Sequence, residues 1–151
     1  LIQEIMHKKI EPKPLTLKSI IDYSVKNFAD KPSISFVDQT PITYRDLGKK
    51  MEEIAALLFS MGLKKEDKVA IYSHNMPNWV IAYFAIVSKG MIVVPILPDF
   101  NTEEVENVLE HSQAKVVFVS ERLVSRISDS KLTFLQATIM LDDFTVNMDT
   151  E

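Results

Sequence analysis

Thr43–Val119 reads TYRDLGKKMEEIAALLFSMGLKKEDKVAIYSHNMPNWVIAYFAIVSKGMIVVPILPDFNTEEVENVLEHSQAKVVFV. Its changes of period decide the fold. Leu47, Met51, Ile54, Leu58 and Met61 step by 4, 3, 4 and 3, which lays one apolar stripe along a helix. Lys49, Lys50, Glu52 and Glu53 fall off that stripe. Thr43 is placed to cap this helix, with Asp46 in its first turn and Gly62 to end it in a left-handed cap. Val69–Tyr72 then reads as a strand. Asn75 and Pro77 open a helix whose body, WVIAYFAIV, is apolar all round and so expected to be buried all round. Gly90 closes it. Met91–Leu97 is an unbroken apolar strand, Asn101 with Glu104 forms a capping box, and Val105, Val108 and Leu109 face inward. Lys115–Val119 is β-branched without alternation, the pattern of a strand covered on both faces of a parallel sheet. Strands alternating with helices predict an α/β fold: a doubly wound, mostly parallel sheet flanked by helices.

Outward from this stretch the signals are simpler. Residues 1–13 read as an arm, and Pro12 and Pro14 fix an extended approach. Thr16 caps a predicted helix, Leu17–Phe28, with Leu17, Ile20, Ile21 and Val25 on one stripe. Ser33–Val37 and Ile42–Tyr44 flank the turn Asp38-Gln39-Thr40-Pro41 and read as a hairpin. This helix and hairpin form a small N-terminal adjunct. A short helix near Glu121–Ile127 and a strand near Thr138–Leu141 complete the pattern.

A chain of 151 residues suggests one domain or a large subdomain with a substantial core. The formal charge of -4, with scattered Lys and Arg, argues against a nucleic-acid surface. No cysteine is present, so disulfides and thiolate metal sites are excluded and a reducing cytoplasm is the expected setting. The N-terminal residues do not have the form of a signal peptide. A start at Leu1 suggests an excised piece or a processed chain. The apolar run Trp79–Val87 is too short to span a bilayer, which needs about 20 residues.

Candidate chemistry is sparse. A phosphate cradle needs clustered glycines, so that successive backbone N–H groups can approach the anion. Here Gly48, Gly62 and Gly90 stand apart. Ser73 and His74 lie at the carboxyl end of a predicted strand, where α/β sheets bind ligands. They lack a nucleophile elbow, and a turn is the plainer account. Asp142 and Asp143 follow a strand, a placement suited to Mg²⁺ or to an ordinary polar turn. His111 suits the end of its helix, and His7 lies in the arm. The three histidines have no metal-ligand spacing.

ITYRDL (42–47), LFSMGLKKEDKVAI (58–71), NMPNW (75–79), AIVSKGMIVVPILP (85–98) and EHSQAKVVFVS (110–120) occur in that order. Together they resemble the N-terminal part of the adenylate-forming superfamily, the acyl-CoA synthetases and AMP-binding ligases. The Asn75–Trp79 segment looks most like the long-chain fatty acyl-CoA synthetase branch. That branch usually has Glu where this chain has Asn78, and Gly-Asp where it has Glu66-Asp67. The resemblance implies ATP, Mg²⁺ and CoA as cofactors of a full-length parent. There a carboxylic acid attacks ATP to give an acyl-adenylate, and CoA then takes the acyl group as a thioester. The family's phosphate loop and its other catalytic signatures have no counterpart among these residues. Residues 14–151 therefore read as an N-terminal subdomain cut before that loop, itself inactive and binding no cofactor. No catalytic or metal residue is assigned. Trp79 and Tyr83, with Phe84 beside them, are the candidate wall of an acyl-chain pocket, against the plainer reading of core aromatics. The implied partners are a fatty acid or other carboxylic acid, the remainder of the same chain, and further copies through an exposed apolar face. The parent is expected in the cytoplasm or at a membrane surface. One alternative is a stand-alone, non-catalytic doubly wound domain that binds a ligand or partner. Another is a branch that activates amino acids or aryl acids.

Overall fold

The computed structural model describes residues 14–127 and 132–147, so the arm read over residues 1–13 lies outside the described residues. Helix α1 (Leu17–Asn27) leads into a hairpin of β1 (Pro32–Ile34) and β2 (Ile42–Thr43). Then follow α2 (Tyr44–Ser60), β3 (Lys68–Tyr72), α3 (Pro77–Ser88), β4 (Ile92–Ile96), α4 (Thr102–Ser112), β5 (Val116–Val119), β6 (Ala137–Met140) and β7 (Val146–Asn147). The main sheet runs β4-β3-β5-β6-β7. Its first four strands are parallel and β7 returns antiparallel on β6.

Side-chain alternation splits the strands between two cores. Val69 and Ile71 of β3 and Val116 and Phe118 of β5 join a cluster with α1, α2 and α3. Ala70, Tyr72, Val117 and Val119 face the other way, onto Val105 and Leu109 of α4. All eight strand residues are fully buried. Burial of a Val, Ile or Phe side chain contributes roughly 1.5–3 kcal/mol, so this double covering is a large term in stability. It explains why β5 shows no alternation in sequence. Helices on both faces of a mostly parallel sheet match the predicted architecture.

The predicted caps are formed. Thr43 Oγ1 accepts from Asp46 N–H at 3.1 Å. Asn101 and Glu104 make the reciprocal bonds of a capping box at 3.1 and 2.8 Å, as do Thr16 and Ser19 on α1. Gly62, at φ +83°, closes α2 in a Schellman motif: its N–H reaches Phe59 O at 2.9 Å and Leu63 N–H reaches Leu58 O at 3.2 Å.

Four expectations are corrected. The first hairpin strand stops at Ile34 rather than Val37, after an irregular register opposite Ile42. Phe36 and Val37 are left exposed. Leu17 and Ile20 are also exposed, so α1 buries only Ile21 and half-buries Val25. Body residues of α3 are buried or half-buried, not buried all round: Trp79, Val80, Tyr83, Phe84 and Val87 keep partial access to solvent. The helix expected near Glu121–Ile127 is only a 3₁₀ turn, Val124–Arg126. The Arg126 and Ile127 N–H groups bond three residues back, to Leu123 O and Val124 O, and the Arg126 side chain is drawn into the contacts described below.

Candidate functional site

The connections after β3 and β5 leave in opposite directions, through α3 to β4 on one side and to β6 on the other. The gap between their carboxyl ends is the topological switch point, where open α/β sheets place ligands. Tyr72 and Val119 are register partners, so Ser73 and Ser120 follow side by side. Both are buried, at 3% and 2% exposure. Ser73 Oγ donates to the carbonyl of His74 at 2.9 Å, and His74 is exposed. The serine is thus committed to its own loop rather than to the imidazole, and the pair has no nucleophile–base geometry. Ser120 Oγ has no hydrogen-bond partner among the described residues.

Asn78 fixes the entry of α3. Its Nδ2 donates to Leu141 O at 2.8 Å and to Asp142 O at 2.9 Å, tying the first turn of the helix to the end of β6. A Glu, usual here in the branch this chain resembles, has no N–H to donate. The N-cap is Met76, which offers no side-chain cap; Asn75, expected to open the helix, lies one residue before it. Asp142 Oδ2 accepts from Glu121 N–H at 2.7 Å and Asp143 Oδ1 accepts from Thr145 N–H at 2.8 Å. Hydrogen bonds from the Thr145 backbone and side chain hold the Asp143 carboxyl below its ordinary range. Both carboxylates therefore serve turns, and no three His, Cys, Asp or Glu side chains among the described residues converge as a metal-ligand set.

Sequence reading missed a polar knot on the opposite face of the same edge. Arg126 Nη1 donates to Pro98 O at 3.0 Å, Phe100 O at 2.9 Å and Tyr72 Oη at 3.2 Å. Tyr72 Oη itself donates to Phe100 O at 2.8 Å. These bonds pin the β4–α4 loop over the end of β3. No local pattern announces them, because Tyr72 and Arg126 are 54 residues apart.

Trp79 and Tyr83, one turn apart on α3, stack with ring centroids 5.1 Å apart at 15°. Phe84 meets Tyr83 edge-on at 5.7 Å. All three are half-buried against the α1–α2–α3 core. A cavity of about 310 Å³ lies near the start of α3, walled by Ile34–Val37 of the hairpin and by Asn75, Met76, Pro77 and Val80. Neither Trp79 nor Tyr83 lines it. His111 lies in the last turn of α4, where a cation suits the helix end. The glycines have other duties: Gly62 and Gly90 hold left-handed turns, and Gly48 lies against Val25. Among the described residues there is no glycine cradle for a triphosphate.

The fold is shared with solved CoA ligases. The anthranilate CoA ligase AuaEII, solved with anthranoyl-AMP, superposes with a TM-score of 0.78 over 84% of this chain and 25% of that one, at 21% identity. The chain belongs to the AMP-binding enzyme family, whose model matches residues 21–150. It is similar to a long-chain-fatty-acid–CoA ligase of Bacillus subtilis (strain 168), 32% identical across 83% of this chain and 22% of the relative. It is also similar to bacitracin synthase 2 of Bacillus licheniformis, 31% identical across 87% of this chain and 5% of that protein. The chain thus spans a quarter or less of the length of these proteins. No helix among the described residues is long and apolar enough to cross a membrane.

Proposed function

We propose that this chain is the N-terminal portion of an ATP-dependent fatty acid–CoA ligase, and that its role is scaffold rather than catalysis. The observation that carries this reading is the match to the Bacillus subtilis long-chain ligase over 83% of the chain. In the whole protein, ATP, Mg²⁺ and CoA act on residues outside the ones described above. The switch-point edge, held by Asn78 and Arg126, positions the helices and loops around them. Trp79 and Tyr83 present a stacked, half-buried aromatic face, which suits the wall of an acyl-chain pocket. A second reading, activation of amino acids or aryl acids, is favoured by the likeness to bacitracin synthase 2.

The test is carboxylate-dependent ATP–pyrophosphate exchange. The natural polypeptide that carries these residues is expected to show it with long-chain fatty acids, and the 151-residue chain alone is expected to show none. Exchange by the pure chain would overturn the scaffold role. Exchange driven by amino acids or aryl acids, with none from fatty acids, would favour the second reading.

A further inference from the structure

The knot around Arg126 joins connections that leave three different strands. Tyr72 ends β3, Pro98 and Phe100 lie in the loop after β4, and Arg126 lies in the turn after β5. These strands are neighbours in the sheet and run parallel, so the three connections leave it at one edge. β3 and β5 flank the switch point, where open α/β sheets hold their ligands. A single side chain thus fixes the spacing of the loops that border this crevice.

The chemistry suits that task. Tyr72 is fully buried, and a buried hydroxyl is costly without a partner. Its Oη has two: it donates to Phe100 O and accepts from Arg126. Arginine offers donors only, from a planar fork, and its charge strengthens each bond to a carbonyl. Inside the β4–α4 loop, Phe100 N–H donates to Leu97 O at 3.1 Å, which turns the chain toward the α4 cap at Asn101. The two carbonyls that accept from Arg126 anchor this turn to the sheet. Lysine, a single ammonium on a flexible stem, does not reproduce the fork.

We infer that Arg126 is a positioning residue for the carboxylic acid in the reaction of the whole protein, acting through the loops after β3, β4 and β5 rather than on a reactant. The inference rests on the ligase reading above, in which ATP is held by residues outside these.

Steady-state ATP–pyrophosphate exchange by the natural polypeptide that carries these residues tests it. Rates are referred to the folded protein, measured by circular dichroism in the same buffer. Arg126→Ala is expected to lower kcat/KM for the activated acid about tenfold while the KM for ATP stays within about twofold. Arg126→Lys should recover only part of that loss. Tyr72→Phe keeps the ring and removes only the hydroxyl; it should show the same selective loss, smaller in size, and it carries the test if Arg126→Ala does not fold. Amide exchange over residues 97–101 should quicken in each variant. An unchanged kcat/KM for the acid in the folded variants would overturn the inference, as would equal losses toward the acid and ATP. Absence of exchange by the unaltered polypeptide with every carboxylic acid would instead overturn the ligase reading, and this inference with it.

Discussion

Gly48 shows how one missing side chain sets a helix pair. It sits inside α2, where glycine costs about 1 kcal/mol relative to alanine. A Cβ placed on it would lie 2.9 Å from Val25 Cγ1 and 3.0 Å from Cγ2. Valine is stiff at χ1 and cannot swing aside freely. The crowding cost, roughly 1–3 kcal/mol for an overpacked contact, should exceed the gain in helix propensity. Gly48→Ala is therefore expected to lower stability by about 1 kcal/mol. In a Val25→Ala background the same change should raise it by about as much. Urea unfolding of the four proteins closes the cycle, and equal effects in both backgrounds would show that Val25 imposes no constraint. In the sequence Gly48 was only an isolated glycine; its reason lies in a partner on another helix.

At the scale of elements, local chemistry was legible and long-range chemistry was not. The apolar stripe of α2, the Asn101–Glu104 box and the Gly62 and Gly90 stops depend on neighbours within a few residues, and all were readable. The hairpin strand and the 3₁₀ turn were overextended, because the weak alternation over Ser33–Val37 and the apolar residues near Val124 do not reveal where tertiary pairing ends. At the candidate site, the position of Ser73 at a strand end was readable, but the roles of Asn78, Ser120 and Arg126 were not. Asn78 joins α3 to β6 across 63 residues. Asn78→Ala removes both donations to backbone carbonyls, an expected loss of about 1–3 kcal/mol at 0.5–1.5 per bond. Because Trp79 is the only tryptophan and follows Asn78 directly, its emission should shift red as the helix entry loosens. A variant with unchanged urea midpoint and unchanged emission would show that the two bonds do not hold the corner.

Across the whole molecule, the alternation of strands and helices fixed the architecture, because each element could bury its apolar face in only one kind of arrangement. The charges were less legible. Lys64, Lys65 and Lys68 flank Glu66 and Asp67 in one charged stretch, yet Asp67 is specific. Its Oδ2 accepts from Lys64 N–H at 2.8 Å and its Oδ1 pairs with Lys115 Nζ at 2.8 Å, with the aspartate side chain only 12% exposed. The Lys115 bond, foremost, holds this carboxyl below the ordinary aspartate value of 3.8. Asp46, through Thr43, and Asp143, through Thr145, are shifted the same way but are more exposed. A carboxyl depressed in the folded state binds fewer protons there than in the unfolded chain at the same pH. It therefore contributes stability that is complete above the unfolded value and is lost as pH falls through the folded one. Stability limited by these groups should hold steady at neutral pH and decline as pH falls below about 4. Since Asp67 ties the start of β3 to Lys115 at the start of β5, its loss touches the centre of the sheet. Asp67→Asn should lower the urea midpoint at neutral pH and flatten the decline on the acid side, whereas Asp143→Asn should change both much less. A full acid decline retained in Asp67→Asn would place the proton-linked stability elsewhere in the molecule.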